Sequence, residues 1–235
     1  MKNYIIFLVI IISFIACTKR DNRKVVNDTK DVSEVKKESK TVAIADLPFV
    51  IDSTTYMIHP IGNYTTHKSR SEYIGSSGSY TSDNISFTNF SKNRISGSIS
   101  NVKFQHIDSN ELKSLTKNIL KIHSMNFLRD LYKKTENGYF VYNLTDKDTN
   151  ADGDLDYNDL ETLYISSLNG TGFRKLSPNG QDLVTWKTIL EANKLYFKTI
   201  EDIDGNGEFD KKDKMHYFYL DLSVPNSKVI EYDPI

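Results

Sequence analysis

The chain has 235 residues, a hydrophobic fraction of 38%, an aromatic fraction of 11% and a formal net charge of −1 at pH 7. That composition is globular with a lean towards β-structure, and the near-neutral balance gives no global sign of nucleic-acid binding. With one cysteine in the whole chain, a disulfide framework and a multi-cysteine zinc site are both excluded.

The N-terminus comes first in chain order. Met1 and Lys2 precede a thirteen-residue apolar run, Tyr4–Ala16, that ends at Cys17. A charged start, an apolar segment and a small residue at the cut are the parts of a secretory signal, and the run is short of the roughly 20 residues a spanning helix needs. F-I-A-C at Phe14–Cys17 resembles a bacterial lipobox, with Phe where Leu is commoner. The resemblance implies a signal peptide over 1–16, acylation of Cys17 and a mature chain attached to the membrane through lipid. Thr18 stands where some inner-membrane lipoproteins carry Asp, so the same resemblance favours the outer membrane of the cell envelope.

Residues 17–46 then read as an acylated Cys followed by a disordered, mixed-charge tether with no aromatic residue and no sustained apolar period. The folded domain is expected over 47–235, starting at Leu47-Pro48-Phe49. Ile51–Tyr64 suggests a strand or hairpin. Ser69–Ser100 is rich in Ser, Gly, Asn and Thr, with short β-like pieces such as Ile85–Phe90. Asn101–Ile107 alternates as a half-buried strand should. A small helical insertion is predicted over about 108–134: one helix capped by Asp108 or Ser109 with Leu112, Leu115, Ile119 and Ile122 on one face, and a second from Ser124 with Phe127, Leu128, Leu131 and Tyr132 inward, stopped at Asn137-Gly138. Strands follow at 138–144, 163–168, 183–189, 195–200 and 215–222.

The strongest chemical signal is D-T-N-A-D-G-D-L-D-Y-N-D at 148–159, which recurs as D-I-D-G-N-G-E-F-D-K-K-D at 202–213, an offset of 54. Each window holds five acids, ten of the chain's 31, and together they contain two of its 30 Lys and Arg residues. A hard cation such as calcium takes six to eight oxygens at about 2.3–2.6 Å. Side chains at loop positions 1, 3 and 5 turn inward, Gly at 6 permits the sharp bend, position 7 offers its carbonyl, and positions 9 and 12 complete the shell. The two copies resemble the EF-hand calcium loop. By that resemblance the ligands are Asp148, Asn150, Asp152, Asp154 through its main chain, Asp156 and Asp159 in the first loop. In the second they are Asp202, Asp204, Asn206, Glu208 through its main chain, Asp210 and Asp213. Leu155 and Phe209 anchor the loops to the body. Position 12 is Asp in both, not the longer bidentate Glu, which weakens or reshapes the last ligand. Two Ca²⁺ sites are therefore expected.

The flanks are β-formers, so each loop is expected to connect two strands of a hairpin and not two helices. D-L-E-T-L-Y after the first loop also resembles a dockerin, but a dockerin places its loop–helix units much closer together. L-Y-I-S-S-L-N-G-T-G-F-R-K-L-S-P-N-G at 163–180 resembles the repeat of TolB-like, WD40-like β-propellers, and 218–231 echoes it. The resemblance implies an internal repeat over about 139–178 and 195–232. The fold class is then mainly β, with antiparallel blade-like sheets forming an incomplete or small propeller, since the chain is brief for a closed one.

No H-E-x-x-H, G-x-S-x-G or phosphate-cradling motif is present among His59, His67, His106, His123, His216 and the glycines. The expected function is a lipid-anchored envelope protein whose calcium-stabilised β-domain serves binding or scaffolding. Its partner would be another envelope protein or a glycan, with no nucleic acid. The alternatives are a hydrolase acting on envelope polymer and a dockerin-like assembly module.

Overall fold

The structure is a computed structural model that describes residues 24–25, 41–51, 53–65, 88–91 and 93–235. The signal peptide, Cys17, most of the tether and most of the Ser-rich stretch lie outside the described residues. Fourteen strands and one helix are seen among those described. They are β1 (Thr41–Ala45), β2 (Phe49–Val50), β3 (Tyr56–Thr65), β4 (Thr88–Ser91), β5 (Arg94–His106), β6 (Lys113–Ser114) and β7 (Lys121–Phe127), then helix α1 (Arg129–Thr135). β8 (Tyr139–Thr145), β9 (Thr162–Ser167), β10 (Arg174–Lys175), β11 (Gln181–Ile189), β12 (Lys194–Glu201), β13 (Lys214–Asp221) and β14 (Ile230–Tyr232) follow.

The fold is mainly β with a small helix, as expected, and every strand pairing is antiparallel. A ten-stranded sheet runs β1-β3-β5-β7-β8-β9-β10, with β2 on β3 and with β4 and β6 on β5. A four-stranded sheet runs β11-β12-β13-β14. Both sheets are open. The last four strands of the large sheet, β7 to β10, and the whole small sheet are each a four-strand antiparallel meander. No helix among the described residues is long and apolar enough to cross a membrane.

β8 explains why the sheets pack. Its side chains alternate between two cores: Phe140, Tyr142 and Leu144 join Ile58, Ile99, Phe104 and Ile122 on one face, while Val141 joins Leu163, Leu195, Phe197, Phe218 and Leu220 on the other. A strand buried on both faces must be apolar at successive positions, which accounts for the unbroken F-V-Y over 140–142. Each large side chain taken fully out of water contributes about 1.5–3 kcal/mol. The turn at Asn169–Gly172 sits directly on the first core. Gly170 has φ +76°, and a Cβ there would meet the Phe104 ring at 2.6 Å. Both the backbone conformation and the close approach require glycine.

Three expectations need correcting. The first predicted helix does not form. Leu112 and Ile119 are exposed while Leu115, Leu120 and Ile122 are buried, so the apolar residues do not share a helical face. Instead β6 pairs with β5, Leu115 N–H donates to Val102 O, and Asn101 Nδ2 donates to Thr116 O. Pairing with an existing strand takes the backbone groups that a helix would use. The second helix is confined to Arg129–Thr135, because Ser124, Met125 and Phe127 belong to β7 and pair with β8. The tether boundary also shifts. Thr41–Ala45 pairs with Ala45's partner Ile61 through to Thr65 as β1, so the ordered domain begins before Leu47.

Candidate functional site

The two acidic loops occupy equivalent hairpins, the first joining β8 to β9 and the second joining β12 to β13. Strands therefore flank both, as the aromatic and β-branched flanks predicted. The two loops share a core of internal hydrogen bonds at equivalent positions. In each, the amide of the position-6 glycine donates to the position-1 carboxylate: Gly153 N to Asp148 Oδ2 at 2.8 Å and Gly207 N to Asp202 Oδ2 at 2.7 Å. The position-12 carboxylate receives one amide from position 2 and one from position 9. In the first loop these are Thr149 N to Asp159 Oδ1 at 2.7 Å and Asp156 N to Asp159 Oδ2 at 3.0 Å. In the second they are Ile203 N to Asp213 Oδ1 at 3.1 Å and Asp210 N to Asp213 Oδ2 at 2.7 Å. Gly153 and Gly207 both have positive φ, +94° and +80°, the conformation that the bend at position 6 demands.

Convergence differs between the copies. Among the described residues, Asp202, Asp204 and Asp213 bring one carboxylate oxygen each to within 4.8 Å of one another. The carboxylates of Glu208 and Asp210 are not part of that group, and Asn206 Oδ1 and Asp210 Oδ1 take the amides of Glu208 and Lys212. The first loop is folded more on itself. Asn150 Nδ2 donates to Asp152 Oδ2, Asp152 Oδ1 accepts the Asp154 amide, and Asn158 holds both oxygens of Asp156. One atom is left over: Asp148 Oδ1 is buried and has no hydrogen-bond partner. Asp159 is 1% exposed, and burial raises its carboxyl pKa while the amides of Asp156, Thr149 and Asn150 oppose the rise.

The surroundings fix the first loop to the core. Thr145 Oγ1 donates to Asp156 O at 3.1 Å and therefore accepts from His123 Nε2 at 2.8 Å. The His123 ring stacks on Tyr157 of the loop with centroids 4.0 Å apart. Burial, aided by Lys121, lowers the His123 pKa to about 4, so the ring is neutral with its proton on Nε2.

Lys24, placed by sequence within the tether, lies across both loops. Its amide donates to Gly207 O at 2.9 Å, its carbonyl accepts Thr149 Oγ1 at 2.8 Å, and its ammonium pairs with Asp182 at 2.7 Å. Asp182 also takes the Glu161 amide just after the first loop. His123, Asp182 and Lys24 escaped the sequence reading because each supports the loops from a distant part of the chain. Tyr196, Tyr217 and Tyr219 of the last strands alternate with buried residues and lie on the face of the small sheet opposite its core.

Away from the loops, a cleft of about 260 Å³ opens between the sheets beside Tyr139, Arg174, Asp221 and Asn226. Burial lowers the Arg174 pKa, and its guanidinium donates to Ser227 O at 2.8 Å. The cleft holds one carboxylate, so it lacks the acid pair that hydrolysis of a glycosidic bond uses. No protein-family model and no curated protein matches this chain.

Proposed function

We propose that this is a lipid-anchored envelope protein in which two calcium ions rigidify equivalent hairpins and the stabilised β-domain serves binding or scaffolding. The observation that carries the reading is the shared hydrogen-bond pattern of the two loops. In both, backbone amides preset the carboxylates of positions 1 and 12. The donor set is all hard oxygen, carboxylate, amide and carbonyl, which suits calcium and not a soft transition metal. The partnerless Asp148 Oδ1 and the Asp202–Asp204–Asp213 group are placed to be satisfied by a cation. Position 12 is Asp and not the longer bidentate Glu in both loops, so the calcium binding we propose is of the weaker, extracellular kind, at roughly 10⁻⁴–10⁻³ M.

The anchor would be acylated Cys17, on the outer membrane. Lys24 is seven residues further on, a reach of at most about 25 Å, so the loop-bearing end of the domain is held close to the bilayer. Strands after both loops favour this reading over a dockerin-like module, which needs helices there. Binding is favoured over polymer hydrolysis by the single-carboxylate cleft and by the tyrosine face of the small sheet.

Thermal unfolding of residues 18–235 with and without millimolar calcium tests the proposal. The expected result is a melting temperature several degrees higher with calcium. Asp148→Ala and Asp202→Ala should each remove part of that rise. An unchanged melting temperature in the wild-type protein would reject structural calcium.

A further inference from the structure

Among the described residues, the small sheet packs against the rest of the domain through one face. Its inward residues Leu195, Phe197, Phe218 and Leu220 are at most 4% exposed. On the opposite face the strand register aligns Lys187, Tyr196, Tyr219 and Ile230 in one row across all four strands. A second row beside it holds Thr185, Lys198, Tyr217 and Tyr232. The four tyrosines are half-buried and form one cluster: Tyr232 contacts the other three, and the ring centroids lie 5.7–6.2 Å apart. Lys194 Nζ sits 4.2 Å from the centre of the Tyr219 ring.

Solvent-facing rows of an antiparallel sheet are normally polar. A contiguous aromatic cluster there marks a contact surface. Tyrosine suits that role because it gives a large, stiff ring and a hydroxyl at low entropic cost. Charge narrows the partner. The rows from Lys194 to Lys198 carry Lys187, Lys194 and Lys198 against one acid, Asp221, which stands opposite Lys194, and on the row beyond Lys198 the carboxylate of Asp182 is neutralised by Lys24. The protein as a whole has a net charge of −1, so the excess of cations here is local.

We propose that the Tyr196–Tyr217–Tyr219–Tyr232 face, with its three lysines, binds an acidic glycan; the inference rests on the binding reading above and names its partner. The electron-rich ring faces attract the positively polarised C–H faces of sugar rings. The tyrosyl hydroxyls match sugar hydroxyls, and the lysines match carboxylates spaced along the chain. A flat sheet suits an extended polymer, which needs no pocket. A nucleic acid carries a charge on every nucleotide and calls for a strongly basic surface. An excess of two cations is too sparse for that and fits a polymer charged at intervals.

The test is affinity electrophoresis of the calcium-loaded protein through gels containing hyaluronan, with dextran and single-stranded DNA as comparison polymers. Hyaluronan should retard the protein, added salt should weaken the retardation, and dextran should have a much smaller effect. Lys187→Glu, at an exposed position, and Tyr219→Ala should each weaken hyaluronan binding tenfold or more. Lys187→Glu should leave the melting temperature unchanged, which separates lost binding from lost folding. No retardation by hyaluronan, retardation unchanged in Lys187→Glu, or stronger retention by single-stranded DNA would overturn the glycan assignment. If calcium still raises the melting temperature in that case, the calcium reading stands and the glycan inference alone falls. If hyaluronan binds and calcium has no effect, the reverse holds.

Discussion

At the scale of single residues, His123 shows how the core and the first loop are joined. Its Nε2 proton is committed to Thr145, whose own proton goes to the Asp156 carbonyl, and its Nδ1 is buried without a partner. Charging this ring in the folded protein is unfavourable, mainly through burial, and its pKa falls from 6.5 to about 4. The unfolded chain therefore binds a proton that the folded chain does not, throughout that interval. Stability is full above pH 6.5 and is lost as the pH falls towards 4. Allowing for solvent screening, the loss is about 1–2 kcal/mol. Asp159 works in the opposite sense, since its carboxyl pKa is raised, but it is common to both proteins in the comparison. Urea denaturation in the presence of a chelator should show wild type losing stability from pH 6.5 to 4 more steeply than His123→Gln, whose amide can still donate to Thr145. Parallel pH profiles would mean that His123 is not the group responsible.

At the scale of elements, the legible parts were those with a local cause. Five strands from Tyr139 onward were predicted to within two residues, because alternation and turn residues set both their type and their limits. The two loops were legible for the same reason: Asp, Asn and Gly at fixed offsets dictate a local coil. The failed helix had a distant cause. Leu112, Leu115, Ile119 and Ile122 have helical spacing, but the neighbouring β5 recruits Lys113–Leu115 into pairing, and no local pattern announces that. Lys24 is a second distant effect. It ties the two hairpins together from a segment whose composition suggests disorder. Lys24→Ala removes a part-buried ion pair with Asp182 while leaving the two main-chain bonds. Chemical denaturation should show a loss of about 0.5–1.5 kcal/mol, and hydrogen exchange at the Glu161 amide, held by Asp182, should quicken. Unaltered stability and exchange would show that the ion pair holds nothing in place.

At the scale of the whole molecule, the chain places one acidic hairpin on each of two meanders and stacks those meanders through β8. The sequence repeat at an offset of 54 is thus a repeat of structure, β8-loop-β9 against β12-loop-β13. The large sheet's first half, β1 to β6, has no counterpart in that repeat; its pairings are long-range, such as Tyr56 with His106, and composition alone did not reveal them. Acid is gathered in the two loops, while tyrosine and lysine are gathered on the outer face of the small sheet. That separation sets the proposed calcium-binding hairpins apart from the proposed contact surface.

The most direct measurement is isothermal titration of calcium into residues 18–235, with Asp202→Ala alongside. Two sites should saturate in the sub-millimolar to millimolar range, and Asp202→Ala should leave one. No heat of binding at millimolar calcium would contradict the central claim and reduce both loops to hydrogen-bonded turns.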